Sequence, residues 1–236
     1  MNKLLAVGDS HCRELFGYIK EHKLLPNIDL KFLGISSASA YGLNNPNSKT
    51  QSNIKIKDFI ENNPDSNLIL IWLGNVDTDF IIWYKYLLDK SDIDEIINKS
   101  INRFYKYINS LNIKKDKICI ICPQIPVIDD KNIEEVLNIN CENVLKDLDI
   151  KEKKGKLKQI SQVFRTKTTL TYNSRLKEKL KEKGLRFIDI NNKIIDKNNE
   201  IVSKKYLRNN KKDHHLEPRK IARICVEEIT KILQKD

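Results

Sequence analysis

Five short apolar runs alternate with helical stretches along this chain, and that alternation limits the fold more than any other feature. The runs are Leu4 to Val7, Leu30 to Leu33, Leu68 to Leu73, Ile118 to Cys122 and Arg186 to Ile190. Strands separated by helices argue for a parallel sheet covered on both faces. The clearest helix is Ile93 to Leu111, where Ile96, Ile97, Ile101, Phe104, Tyr105, Ile108 and Leu111 form one stripe. The expected architecture is a three-layer α/β/α domain with a five-stranded parallel sheet in flavodoxin-like order 2-1-3-4-5. In that order ligands bind outside the carboxyl ends of strands one and three, where the winding reverses. At 236 residues the chain, 1–236, is read as one such domain with a full core. A lid or recognition insertion is expected at 131–170, between the fourth and fifth runs.

The first run leads directly into Gly8-Asp9-Ser10-His11-Cys12. The stretch His11 to Lys23 reads as a helix, with Leu15, Tyr18 and Ile19 on one face. A serine at this strand-to-helix turn projects its hydroxyl from the carboxyl edge of the sheet. Its backbone N–H stands at the positive end of a helix, where a developing oxyanion is stabilised. The competing reading makes Asp9 or Ser10 a helix cap and nothing more. The other end of the chain favours chemistry. There Asp213-His214-His215-Leu216-Glu217-Pro218 precedes an amphipathic helix whose apolar side carries Ile221, Ile224, Cys225, Ile229, Ile232 and Leu233. A serine hydroxyl is a poor nucleophile until a base takes its proton. Imidazole is the usual base, oriented by a carboxylate. Asp213 and His215 are two apart, so an extended loop turns both toward one cleft.

Taken together, Gly8-Asp9-Ser10, Gly74-Asn75 and Asp213-x-His215 resemble the blocks of the SGNH (GDSL-type) hydrolases, in the family's order and across nearly the whole chain. The resemblance implies that Ser10 is the nucleophile, His215 the base and Asp213 its orienter. It also implies an oxyanion hole made by the Ser10 N–H, a glycine N–H and the Asn75 side chain. Three positions depart from the family pattern. Asn75 follows Gly74 directly where the family has Gly-x-Asn-Asp, and the last block is Asp-x-His instead of Asp-x-x-His. The second-block glycine is Gly34 or Gly42, with Gly42 preferred because it closes the small-residue loop Ser36 to Gly42. Relatives that begin Gly-Asp-Ser-His resemble proteins of surface-glycan assembly. The implied substrate is therefore an acyl ester, foremost an acetyl ester, of a carbohydrate or glycan precursor. The implied activity is that of an esterase (a hydrolase) or an O-acyltransferase acting on a polysaccharide precursor. His11, Asp77 and Arg165 are candidate substrate-binding residues, and Trp72, Trp83, Tyr84 and Tyr86 a candidate aromatic platform beside Asn75.

Two other classes compete. A non-catalytic glycan-binding or scaffold protein would keep the fold without the reaction. The string Asp213-His214-His215 also resembles metal phosphoesterases, whose further aspartates would be Asp9, Asp77 and Asp79. That reading gives Ser10, Gly42 and Asn75 no role, so no metal and no cofactor are expected. The net charge of +11 raises nucleic acid. Lysine is interleaved with glutamate along helices, as in Lys177 to Glu182, so nucleic acid is not expected as a partner. The oligomeric state is left open. No apolar run approaches the ~20 residues that span a bilayer. Ser10 lies too near the start to follow a cleavable leader, and the five cysteines fit a reducing compartment, so a cytoplasmic protein is expected. In Cys119-x-x-Cys122 the odd spacing within a strand points the thiols to opposite faces, which reads as core.

Overall fold

The computed structural model describes residues 2–89, 91–141 and 150–234. In chain order its elements are β1 (Asn2–Gly8), α1 (Ser10–Glu21), β2 (Ile28–Gly34), α2 (Ser52–Glu61) and β3 (Leu68–Trp72). A π-helical turn, Asp77–Ile81, runs into α3 (Ile82–Asp89), followed by α4 (Ile93–Ser110), β4 (Ile118–Ile121), α5 (Ile133–Asn140) and α6 (Ile150–Gln159). Then come α7 (Gln162–Lys181), β5 (Arg186–Ile188), α8 (Asn191–Ile194), the small hairpin β6 (Ile195–Asp196) and β7 (Ile201–Val202), and α9 (Pro218–Leu233).

The sheet order is β2-β1-β3-β4-β5, with every pairing parallel. The expected fold class and strand order are therefore borne out. The three central runs form strands covered on both faces. Every residue of β3 and β4 is buried, as are the last five of β1. The edge strands β2 and β5 are only partly buried, and their runs are the less purely apolar. Helices α1 and α9 pack together, as do α4 with α3 and α7. Right-handed crossovers put these two groups on opposite faces, because the winding reverses between β2 and β3.

Three local features were not predicted: the π turn, the four-residue α8 and the hairpin. Side chains close in sequence supplement the hydrogen bonding around the π turn. Trp83 Nε1 donates to the Thr78 carbonyl at 2.7 Å, and Thr78 Oγ1 to the Gly74 carbonyl at 3.1 Å. The expected insertion, 131–170, holds α5, α6 and the first part of α7, while residues 142–149 within it lie outside the described part. All five cysteines are buried free thiols. Among the described residues no helix is long and apolar enough to cross a membrane.

Candidate active site

β1 ends at Gly8 against the backbone of β3. A Cβ there would stand 2.1 Å from the Trp72 carbonyl oxygen and 2.9 Å from Cys12 Cβ, so only glycine fits. The chain then turns. Asp9 donates its N–H to Trp72 O at 3.2 Å, and its carboxylate caps α1 by accepting the His11 N–H at 2.9 Å. Ser10 is thereby the first residue of α1, with its N–H among the helix's orphan donors.

From the other end of the chain, His215 Nε2 comes to 2.8 Å from Ser10 Oγ. His215 Nδ1 lies 2.7 Å from Asp213 Oδ1, and the same oxygen accepts the His215 backbone N–H at 2.9 Å. An Asx turn, not an extended loop, makes the two-residue spacing work: one carboxylate oxygen fixes both the backbone and the ring of the base. With the Nδ1 proton directed at Asp213, Nε2 presents its lone pair to the serine hydroxyl. Asp9-Ser10-His11 repeats the unit, since Asp9 Oδ1 also lies 3.1 Å from His11 Nδ1.

Two residues that the sequence did not single out extend this chain. Arg208 donates to Asp213 Oδ2 at 2.7 Å, to Glu14 Oε2 at 3.0 Å and to the Leu216 carbonyl at 3.1 Å. Arg208 thus ties the loop that carries the base to α1, the helix that carries the nucleophile. Glu14 is one turn beyond Ser10, and the signal for it was only that position; Arg208 carried none. Gln124 supports the same loop by donating to the His214 carbonyl at 2.9 Å.

The charges suit proton transfer. Burial pulls His215 below the ordinary imidazole value of 6.5, and Asp213 offsets only part of that. Burial, with His11 and His215 nearby, lowers His214 to about 2. Both rings are therefore neutral at pH 7. Burial acts to raise Asp213, but the bonds from His215 and Arg208 outweigh it and hold the carboxyl well below the usual range. His11 behaves oppositely: burial acts to lower it, but Asp9 and Asp79 together leave it raised. Burial lifts Asp79 to about 7, and its Oδ2 has no hydrogen-bond partner.

A cavity of about 440 Å³ opens over this group, lined by Ser10, His214 and His215 at its floor. Val76, Phe80, Ile81 and Tyr84 form an apolar wall, Arg13, Ser36 and Ser37 a polar one, and Asn140 and Cys141 complete the lining described. Wider depressions of about 580 and 610 Å³ lie elsewhere on the surface, away from the serine and its base.

Several expected site residues stand elsewhere. Gly42 does not line the cavity, and its N–H already donates to Ser39 Oγ at 3.0 Å. The loop that does reach the cavity is Ser36-Ser37, where Ser37 adopts a left-handed φ of 60° without being glycine. Asp77 accepts the N–H groups of Ala40 and Tyr41 and the Ser100 hydroxyl, at 2.7, 2.8 and 2.7 Å, so it anchors that loop and does not face substrate. Arg165 is 1% exposed and donates to the carbonyls of Ile160 and Ile128 and to Asp130. It ties α7 to the strand-four loop and does not enter the cleft. His11 is buried behind the serine, its Nε2 3.4 Å from the His214 carbonyl. Trp72 and Trp83 are core residues, and Tyr86 bonds Gln159, so of the four aromatics only Tyr84 lines the cavity.

Asn75 is fully buried at the turn where Gly74 takes φ 109°, a conformation that calls for glycine. Its Nδ2 donates to Asp9 Oδ2 at 2.9 Å, and its Oδ1 accepts the Gln124 N–H at 2.9 Å. One Nδ2 hydrogen is left over from these bonds.

For a metal, His11, His214 and His215 bring ring nitrogens within 4.8 Å of one another. Both nitrogens of His11 and both of His215 already face protein partners. Asp9, Asp77 and Asp213 are likewise each engaged by separate donors. A metal held by the three imidazoles would therefore compete with the bonds that His11 and His215 already make.

No protein-family model matches the chain, and no curated protein is significantly similar to it in sequence. Solved structures do share its fold. A carbohydrate acetylesterase family member from Sinorhizobium meliloti superposes with a TM-score of 0.59 at 12% identity, over 99% of this chain and 100% of that one. A GDSL-like lipase from Bacteroides thetaiotaomicron gives 0.52 at 12% identity, over 97% and 89%. The aryl esterase of M. smegmatis gives 0.50 at 11%, over 98% and 100%. The fold of this chain is that of the GDSL (SGNH) hydrolases.

Proposed function

We propose that the protein is a serine-dependent esterase or O-acyltransferase of the SGNH type, acting on an acyl ester of a carbohydrate. The observation that carries this reading is the aligned series Ser10–His215–Asp213, with both contacts under 3 Å. His215 takes the Ser10 proton as Oγ attacks the ester carbonyl, then returns it to the leaving alcohol. Water or a sugar hydroxyl resolves the acyl-enzyme by the same route. The Ser10 N–H is the first oxyanion donor. An N–H of the Ser36–Ser37 loop, replacing Gly42, is the second, and the spare Nδ2 hydrogen of Asn75, which is wholly buried and outside the cavity lining, is the third. The carbohydrate assignment is supported by the lining, which includes an aromatic residue, Tyr84, and an amide, Asn140, residue types suited to a sugar. Asn140 belongs to the 131–170 segment, which supports its role as a recognition element. Free buried thiols favour a reducing compartment, and we place the protein in the cytoplasm on that ground.

A scaffold that keeps the fold needs no aligned base, so the geometry favours catalysis. Turnover of 4-nitrophenyl acetate tests the reading. The native protein is expected to hydrolyse it, Ser10→Ala to lose about a million-fold in turnover, and dialysis against a chelator to change nothing. Undiminished turnover by Ser10→Ala overturns the proposal. Chelator loss reversed by manganese or zinc transfers it to the metal reading.

A further inference from the structure

The cavity over the serine is asymmetric in charge. Arg13 follows Ser10 by three residues on α1, so both side chains occupy one helix face and both line the cavity. The backbone of Arg13 is fixed, because it packs so tightly on Gly34 that a Cβ there would lie 2.4 Å from Arg13 Cβ. Its guanidinium donates to Ser36 Oγ at 3.0 Å. The nearest acid, Glu14, has one oxygen 3.7 Å from Arg13 and the other bound to Arg208 at 3.0 Å. Arg13 is thus aligned mainly by a neutral hydroxyl and keeps 49% of its side chain exposed. Among the described lining residues there is no carboxylate, and both imidazoles are neutral at pH 7. Among the described residues, the lining beside the nucleophile therefore carries one formal charge, the positive charge of Arg13.

We propose that Arg13 recognises an anionic group on the substrate, so that the ester acted on belongs to a sugar bearing a carboxylate or a phosphate. This deepens the serine-esterase reading and rests on it. A guanidinium presents a planar fork of N–H donors that matches either oxyanion in two parallel bonds. The hydroxyl of Ser36 holds the fork without neutralising it. Val76, Phe80 and Ile81, also in the lining, offer the uncharged acyl group apolar surface.

Three probes separate the cases: O-acetylated methyl glucoside, O-acetylated methyl glucuronide and O-acetylated glucose 6-phosphate, with acetate release as the readout. The native protein is expected to favour at least one anionic ester over the neutral one in kcat/KM by about tenfold or more, the scale of one charge-assisted pair. Which one it favours tells carboxylate from phosphate. That ratio is expected to collapse toward one in Arg13→Gln and to survive in part in Arg13→Lys. An equal ratio in native and Arg13→Gln protein, or no anionic preference in the native protein, overturns the proposal. Binding of the deacetylated sugars to Ser10→Ala protein, followed by NMR, removes the dependence on turnover. Selective binding of an anionic sugar without any ester turnover keeps Arg13 and sinks the esterase reading. Turnover without selectivity does the reverse.

Discussion

His215 must be a free base before it can take the Ser10 proton, and its surroundings favour that state. Burial lowers its pKa from 6.5, whereas His11 is raised. A base must be unprotonated to act, so kcat/KM is expected to fall on the acid side with a midpoint below 6.5 and to be flat at neutral pH. A midpoint above 6.5 points to His11 instead. Asp213→Asn removes both the opposing charge and the tautomer lock, and a loss of about ten-thousand-fold in kcat is expected. His215→Ala is expected to be severe and His214→Ala modest, measured as ester turnover; the reverse ranking means that the wrong ring is the base. Ser10, Asp213 and His215 were legible because each sits in a short local motif. The Arg208–Glu14 link was not, because its partners lie 194 residues apart and charged residues are common in this chain. Gly42 was preferred because it closes the small-residue loop, and the part of that loop that lines the cavity is Ser36-Ser37.

Individual elements were legible where burial alone decides them. The central runs became strands, β1, β3 and β4, covered on both faces, and α9 begins at Pro218, with proline in its first turn. The π turn after β3 was not legible. Trp83 bonds the Thr78 carbonyl within it and Thr78 bonds the Asn75 carbonyl just before it, local contacts that no residue pattern announces. Two variants test how elements hold the site. Gly8→Ala forces a methyl into the β1–β3 contact, and overpacking of this kind costs about 1–3 kcal/mol; a fall in thermal midpoint is expected, and an unchanged one contradicts the close approach. Arg208→Met unties the Asp213 loop from α1. Its kcat is expected to fall by less than in Asp213→Asn, with KM little changed, because Arg208 acts through Asp213 and touches no substrate.

Across the whole molecule, the reversal of winding between β1 and β3 gathers residues from both termini at one sheet edge. Ser10 follows β1, Asn75 follows β3, and the 213–215 loop reaches back across them before α9 packs beside α1. Topology alone placed the crevice there, ahead of any motif. The residues that line it could not be foreseen in the same way, since Phe80, Tyr84, Asn140 and Arg13 come from four elements whose relative placement depends on the packed core. The direct measurement of the central claim is labelling with a fluorophosphonate, which phosphonylates an activated serine, followed by mass spectrometry of the digested protein. One adduct, on the peptide holding Ser10 and absent from Ser10→Ala, is the expected result. An adduct on another serine, or none while ester turnover persists, contradicts a mechanism built on Ser10.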